Sequence, residues 1–185
     1  MATQVILDRK PRVAQGDVIR EVEFIEFVTE QAGTLEISKI IFPLVVVLTQ
    51  DCDLEQDFRF RNEGQAGSHD KYLFSVLVAP VYNLDHMCAG EHLSELNMSM
   101  QSISRKKTPG SFLRNNEWPR YHFIEFPEST RLPPSVVDFK HYFSLNVQYA
   151  RTAKQTRFAC SLAPLFRDDL SHRFASYLSR IGLPE

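Results

Sequence analysis

From position 42 to 48 the chain reads FPLVVVL, seven residues without a polar side chain and rich in β-branched valine. The run is too short for a helix standing alone, and it does not alternate. It therefore predicts a strand buried on both faces of a sheet. The run ends abruptly in Thr49-Gln50-Asp51-Cys52-Asp53, a thiol between two carboxylates. Where a central strand leaves the core, polar groups are held rigidly yet reach solvent, which makes Asp51, Cys52 and Asp53 candidate site residues. A second apolar run, YLFSVLVAPV at 72–81, is expected beside the first, so that the exits at 49–53 and 80–83 form one rim.

The remaining strands are shorter. Residues 18–28 alternate after the Gln15-Gly16-Asp17 turn, and Gln31-Ala32-Gly33-Thr34 turns the chain back toward the central run. Aromatic, β-prone segments follow at 118–127 and 136–147, and 158–162 comes after a basic passage that reads as a hairpin. Two helices are expected. Leu84, Met87, Cys88, Leu93, Leu96, Met100 and Ile103 keep mostly three- and four-residue spacings over 84–107, and Pro164 opens a second helix to 181 with Leu165, Leu170, Phe174, Tyr177, Leu178 and Ile181 on one face. The polar stretch 55–71 reads as a long surface loop. With 185 residues, one domain is expected: an arm at 1–14, sheet strands within 15–83 and 118–162, an inserted helix at 84–107 and a closing helix at 164–181. The fold class is β-rich α+β.

Charge and cysteine content narrow the partners. A formal charge of -2 gives no global attraction to nucleic acid or to an anionic membrane, so such binding needs a local patch. Three cysteines cannot all pair, no charged and then apolar leader opens the chain, and no apolar run approaches bilayer length. Reduced thiols, a cytoplasmic location and no membrane contact are the expectations, and no cofactor is expected.

Asp51-Cys52-Asp53 admits three readings. As a nucleophile, Cys52 needs a lowered thiol pKa, which flanking carboxylates oppose. As a metal site, Asp51 and Asp53 could join His86, Cys88 and His92, although His86-x-Cys88-x3-His92 is not a common zinc spacing and no metal is assigned. As structure, a small buried cysteine and a turn-capping aspartate account for the stretch without function. Basic residues interleaved with aromatics are a separate signal. Arg114, Trp118, Arg120 and Tyr121, extended by Arg151, Lys154 and Arg157, could stack bases and hold phosphates as single-stranded nucleic acid binding requires. The alternative is that the rings are core and the cations a solvated edge.

Four segments in order carry a resemblance: Gln15-Gly16-Asp17-Val18-Ile19, the proline-led strand at 42–49, Val78-Ala79-Pro80-Val81, and Ser135-Val136-Val137-Asp138. Together they resemble the MazF/PemK toxin family. The resemblance implies an SH3-like barrel with a terminal helix, dimerisation, and cleavage of single-stranded RNA in a toxin-antitoxin or defence setting. In that family an arginine precedes the strand proline and a threonine or serine follows the alanine-proline strand. Here those places hold Phe42 and Tyr82. An apolar ring cannot stabilise a developing phosphorane charge, so the cleaving chemistry does not transfer unchanged. The expectation is a diverged member that binds, and at most processes, single-stranded RNA. The alternatives are a non-catalytic protein-interaction module, paired with its own copy or another protein, and a metal-dependent hydrolase using Asp51 and Asp53.

Overall fold

The alternation after Gly16 continues well beyond the width of one sheet and forms β2 (Asp17–Gln31). Ala32 and Gly33, both at positive φ, close a two-residue turn whose twist suits antiparallel strands. The chain returns as β3 (Thr34–Val47), with Gln31 opposite Thr34 and Val18 opposite Val46. A computed structural model describes residues 3–62, 69–103 and 111–180.

The two apolar runs are neighbours, as expected. The inner end of β3 pairs with β4 (Ser75–Asn83), Val45 opposite Pro80 and Val47 opposite Val78. Around them stand β1 (Val5–Ile6), β5 (Tyr121–Ile124), β6 (Ser135–Asp138), β7 (Phe143–Asn146) and β8 (Phe158–Leu162), in the order β1-β8-β2-β3-β4-β6-β5 with β7 also on β4. The result is a mixed α/β protein built on a curled antiparallel half-barrel.

Helices cover both faces of the sheet, which explains the unbroken apolar run. Val18, Val46 and Leu48 pack with Leu170 and Phe174 of α5 (Pro164–Leu178). On the other face Ile19, Val45 and Val47 meet Leu54 of α1 (Asp51–Asn62) and Ala150 and Ala153 of α4 (Val147–Arg157). A third cluster joins α2 (Leu84–Ala89) and α3 (Ser111–Arg114) to the β4-β6-β5 end through Met87, Leu113, Tyr82, Tyr121 and Val136. No helix among the described residues is long and apolar enough to cross a membrane.

A buried ion pair joins the layers. Asp17, at the start of β2, is fully buried and accepts from Lys154 Nζ at 2.6 Å, the Ala14 amide at 2.7 Å and the Ser161 hydroxyl. Lys154 Nζ also donates to the Arg12 carbonyl at 2.5 Å. One carboxylate and one ammonium thus tie the N-terminal arm, β2, β8 and α4 together, with the donors and acceptors that make burial of both charges tolerable.

Residues 51–53 are not a strand exit but the first turn of α1, and the expected loop at 55–71 is helical as far as Asn62, residues 63–68 lying outside the described ones. Asp51 and Asp53 at the start and Arg59 and Arg61 at the end suit the helix dipole. Because β3 and β4 run antiparallel, 49–53 and 80–83 leave the pair at opposite ends, with Thr49 Oγ1 beside the Leu77 amide instead. They form no common rim.

The helix expected over 84–107 ends at Gly90, whose φ of 79° and amide bonds to the His86 and Met87 carbonyls close it. There the chain folds back, Met100 donating to the Gly90 carbonyl and Ile103 to that of Cys88. A Cβ at Gly90 would lie 2.2 Å from the Met100 oxygen. Residues 104–107 are outside the described ones. The strand expected over 136–147 is split by a 3-10 turn at Phe139–His141, level with Ala79 and Pro80, where Pro80 has no N–H for a ladder. The basic passage is α4 rather than a hairpin, started by the Asn146 side chain accepting from the Gln148 and Tyr149 amides. In the 118–127 segment only Tyr121–Ile124 is strand. The arm contributes edge strand β1 against β8. On α5, Leu165 and Leu178 face outward beside the buried Leu170 and Phe174, and Ile181 is outside the described residues.

Lys154→Met leaves Asp17 buried without its counter-charge and is expected to cost about 3–5 kcal/mol in urea unfolding. The double variant Asp17→Val/Lys154→Met should be destabilised by clearly less than the two single changes together.

Candidate functional site

A cleft of about 430 Å³ lies where the ribbon β2-β3 meets the end of β4 and the hook that follows α2. Phe42, Pro43 and Leu44 of β3 form one wall, Tyr82 and Asn83 of β4 the floor, and His86, His92 and Leu93 the opposite wall. A second depression of about 230 Å³ shares Ile40, Phe42, Tyr82, Leu93 and Leu96, and adds Phe24, Met98, His141, Tyr142 and Phe143. Phe42 and Tyr82 therefore border both. Its volume is that of an ordinary small-ligand pocket, and polar side chains are well represented in its lining.

The polar groups in it come from separate elements. Arg20 enters from β2 and Arg131, at φ 56° after a 3-10 turn, from the approach to β6; neither guanidinium has an ion-pair or hydrogen-bond partner among the described residues. Glu91 and Glu95 stand on the hook side. Under the floor, the fully buried Asp138 receives Arg120 in a two-pronged contact at 2.8 and 2.5 Å and the Lys140 amide at 3.0 Å. Its Oδ2 lies 3.3 Å from His141 Nδ1, and the Tyr82 hydroxyl is 3.3 Å from the same nitrogen.

The His92 ring packs 4.8 Å from that of Tyr82, and both its nitrogens are shielded without a well-formed hydrogen bond. Burial lowers the His92 pKa, against the opposing pull of Asp138 and the His86 backbone. The His141 pKa is lowered as well, chiefly by burial, and that of Tyr82 is raised by burial and by Asp138. At neutral pH His92 and His141 are thus uncharged and the Tyr82 phenol protonated, beside the guanidinium groups of Arg20 and Arg131 and the carboxylates of Glu91 and Glu95.

The candidates picked from sequence lie elsewhere. Asp51 is gripped by Arg12 through both oxygens at 2.8 Å, by Arg167 at 3.1 Å and by the Gln15 amide at 3.2 Å. The Arg12 guanidinium holds its carboxyl below the usual range. It is a clamp between the arm, α1 and α5. Cys52 is exposed next to Gln50 and Asp53, each 3.7 Å from its sulfur. Cys88 is buried in the third core cluster, and no group of three His, Cys, Asp or Glu side chains among the described residues is arranged to hold a metal.

The predicted basic surface is also divided. Arg151 pairs with Asp57 at 2.8 Å, Lys154 with Asp17, and Arg157 with the Glu21 carbonyl at 2.5 Å, all from α4. Arg120 is spent on Asp138, Arg114 lies over the Phe123 ring, and Trp118 stacks on Tyr121 at the far β5 end of the sheet. Arg20, His86, His92, Arg131 and His141 went unnoticed as a set because they are scattered over 120 positions of sequence and only the curl of the sheet collects them. Phe42 and Tyr82 were singled out only through the family resemblance. No family profile matches the chain, and no curated protein matches it significantly.

Replacing Asp51 by Asn is expected to cost about 1–2 kcal/mol at pH 7 in thermal or urea unfolding, the range for charge-assisted bonds discounted for partial exposure. Because the folded carboxyl titrates below its unfolded value of about 3.9, wild type holds this advantage above pH 4. The gap should close as the pH falls through the folded value.

Proposed function

We propose that the cleft between β3, β4 and the hook binds single-stranded RNA, and that the chain is a diverged MazF/PemK-like protein whose half-barrel is a version of the SH3-like barrel. The observation that carries this reading is the pair of guanidinium groups, Arg20 and Arg131, that line one cleft of about 430 Å³ and have no partner among the described residues. Phosphate supplies the charge they lack, and a base finds stacking area against the exposed ring of Tyr142 in the adjoining depression. The resemblance adds support, since Phe42-Pro43 and Tyr82, which stand in the places of the family's cleavage residues, line this same cleft.

With Phe42 in place of arginine, any processing of the RNA falls to proton transfer by His92, His141 and Tyr82, groups of the type used for general acid-base work. Asp138 acts on this set only through His141, as a positioning residue.

Fluorescence anisotropy with a labelled single-stranded RNA of about 12 nucleotides over 50–200 mM salt tests the reading. Arg20→Ala/Arg131→Ala is expected to weaken binding at least tenfold and to flatten the log–log salt slope by about 1.4, at about 0.7 per lost phosphate contact. Arg151→Ala should leave the RNA affinity unchanged. Absence of binding at 50 mM salt would remove the proposal.

A further inference from the structure

Beyond its base, the β2-β3 ribbon leaves the body of the protein. β2 pairs with β8 only from Asp17 to Ile19, and β3 with β4 only from Val45 to Val47. Tyr149 Oη takes the Glu23 amide, and Phe24 and Phe42 rest on Phe143. From Ile25 to Ile37 every residue is exposed, and both ribbon edges lack a strand partner among the described residues. A two-stranded ribbon standing free is marginal in water, and unpaired edges are templates for another strand.

Its two faces differ. The register puts Val28 opposite Ile37, Ile25 opposite Lys39 and Leu35 opposite Glu30, with the irregularity at Glu26 restoring the phase. One face thus carries Ile25, Val28, Leu35 and Ile37, which are 56, 53, 66 and 59% exposed. Four large aliphatics on this exposed stretch, with Glu30 and Lys39 on the same face, form a contact surface. The charge around them is one-sided: between Glu21 and Ile41 lie five glutamates and one lysine, Lys39, already paired with Glu23 at 3.2 Å.

A second copy laid against this face would bring acid to acid, and RNA would be repelled from it. We infer that the ribbon receives an extended segment of a basic protein partner, a strand alternating aliphatic side chains with lysine or arginine. Such a segment adds to a free edge, extends the aliphatic face and points its cations to the other face, where Glu26 and Glu36 lie. This surface is separate from the Arg20–Arg131 pair, so the inference stands whether or not the cleft binds RNA.

The probe is a fluorescein-labelled nine-residue peptide alternating valine and lysine, titrated with the full chain by anisotropy. The matched valine–glutamate peptide and a valine–lysine peptide with alternate backbone amides methylated serve as controls. Micromolar binding of the first peptide only, weakened by salt and at least tenfold by Val28→Thr/Ile37→Thr, is the expected result. Threonine keeps β propensity at these exposed sites, circular dichroism checks the fold, and RNA affinity should not change. Equal binding of the three peptides, no binding of any, or binding indifferent to the Thr substitutions would overturn the inference. So would a wild-type dimer in sedimentation velocity that the Thr substitutions dissociate, which would assign the face to a second copy.

Discussion

Asp17 and Lys154 carry the architecture. A carboxylate with no exposed surface and an ammonium almost as deeply buried meet at the point where the arm, β2, β8 and α4 converge. Each charge alone would be expensive there, and together they are tolerable only because Ala14, Ser161 and the Arg12 carbonyl complete their bonding. The joint is therefore selective as much as cohesive. It fixes α4 on one face of the sheet, which leaves the other for α5, and so it sets which side of the curl stays open.

That arrangement explains how the positive charges are distributed. Arg12, Arg120, Arg151 and Lys154 all face buried or half-buried carboxylates and serve as internal fasteners. With these turned inward, the guanidinium groups that line the cleft among the described residues are those of Arg20 and Arg131. The same curl aligns Tyr82 with His92 and His141 above Asp138, so the electrostatics of the cleft follow from the packing of the sheet. The outer ribbon is a second consequence: its strands outrun their neighbours, and the apolar face that no helix covers is turned outward.

The parts of this fold legible in the sequence are those decided by local periodicity. The run ending at Leu48, its pairing with the Val76–Val81 segment, the Ala32-Gly33 turn and the Pro164 helix start all follow from patterns a few residues long. The helices at 51–62 and 147–157 were missed because their polar, weakly amphipathic sequences hide the period that packing then uses. Their signals were caps and end charges, Asp51 with Asp53 in one case and Asn146 in the other. Gly90 falls inside the helix expected over 84–107, and its positive φ ends that helix and makes the hook. The candidate cleft was the least legible part. Cys52 looked like chemistry because two acids flank it in sequence, yet Asp51 turns toward Arg12, and the groups that do converge are far apart along the chain.

If the Asp17–Lys154 joint organises the fold, the backbone it holds should be as hard to open as the core. Native-state hydrogen exchange of the Ala14 amide, which lies outside any strand or helix and donates to Asp17, measures this directly. Exchange as slow as that of Val46 in the central strand, through global unfolding only, is the expected result. Exchange at the rate of an open loop would contradict it.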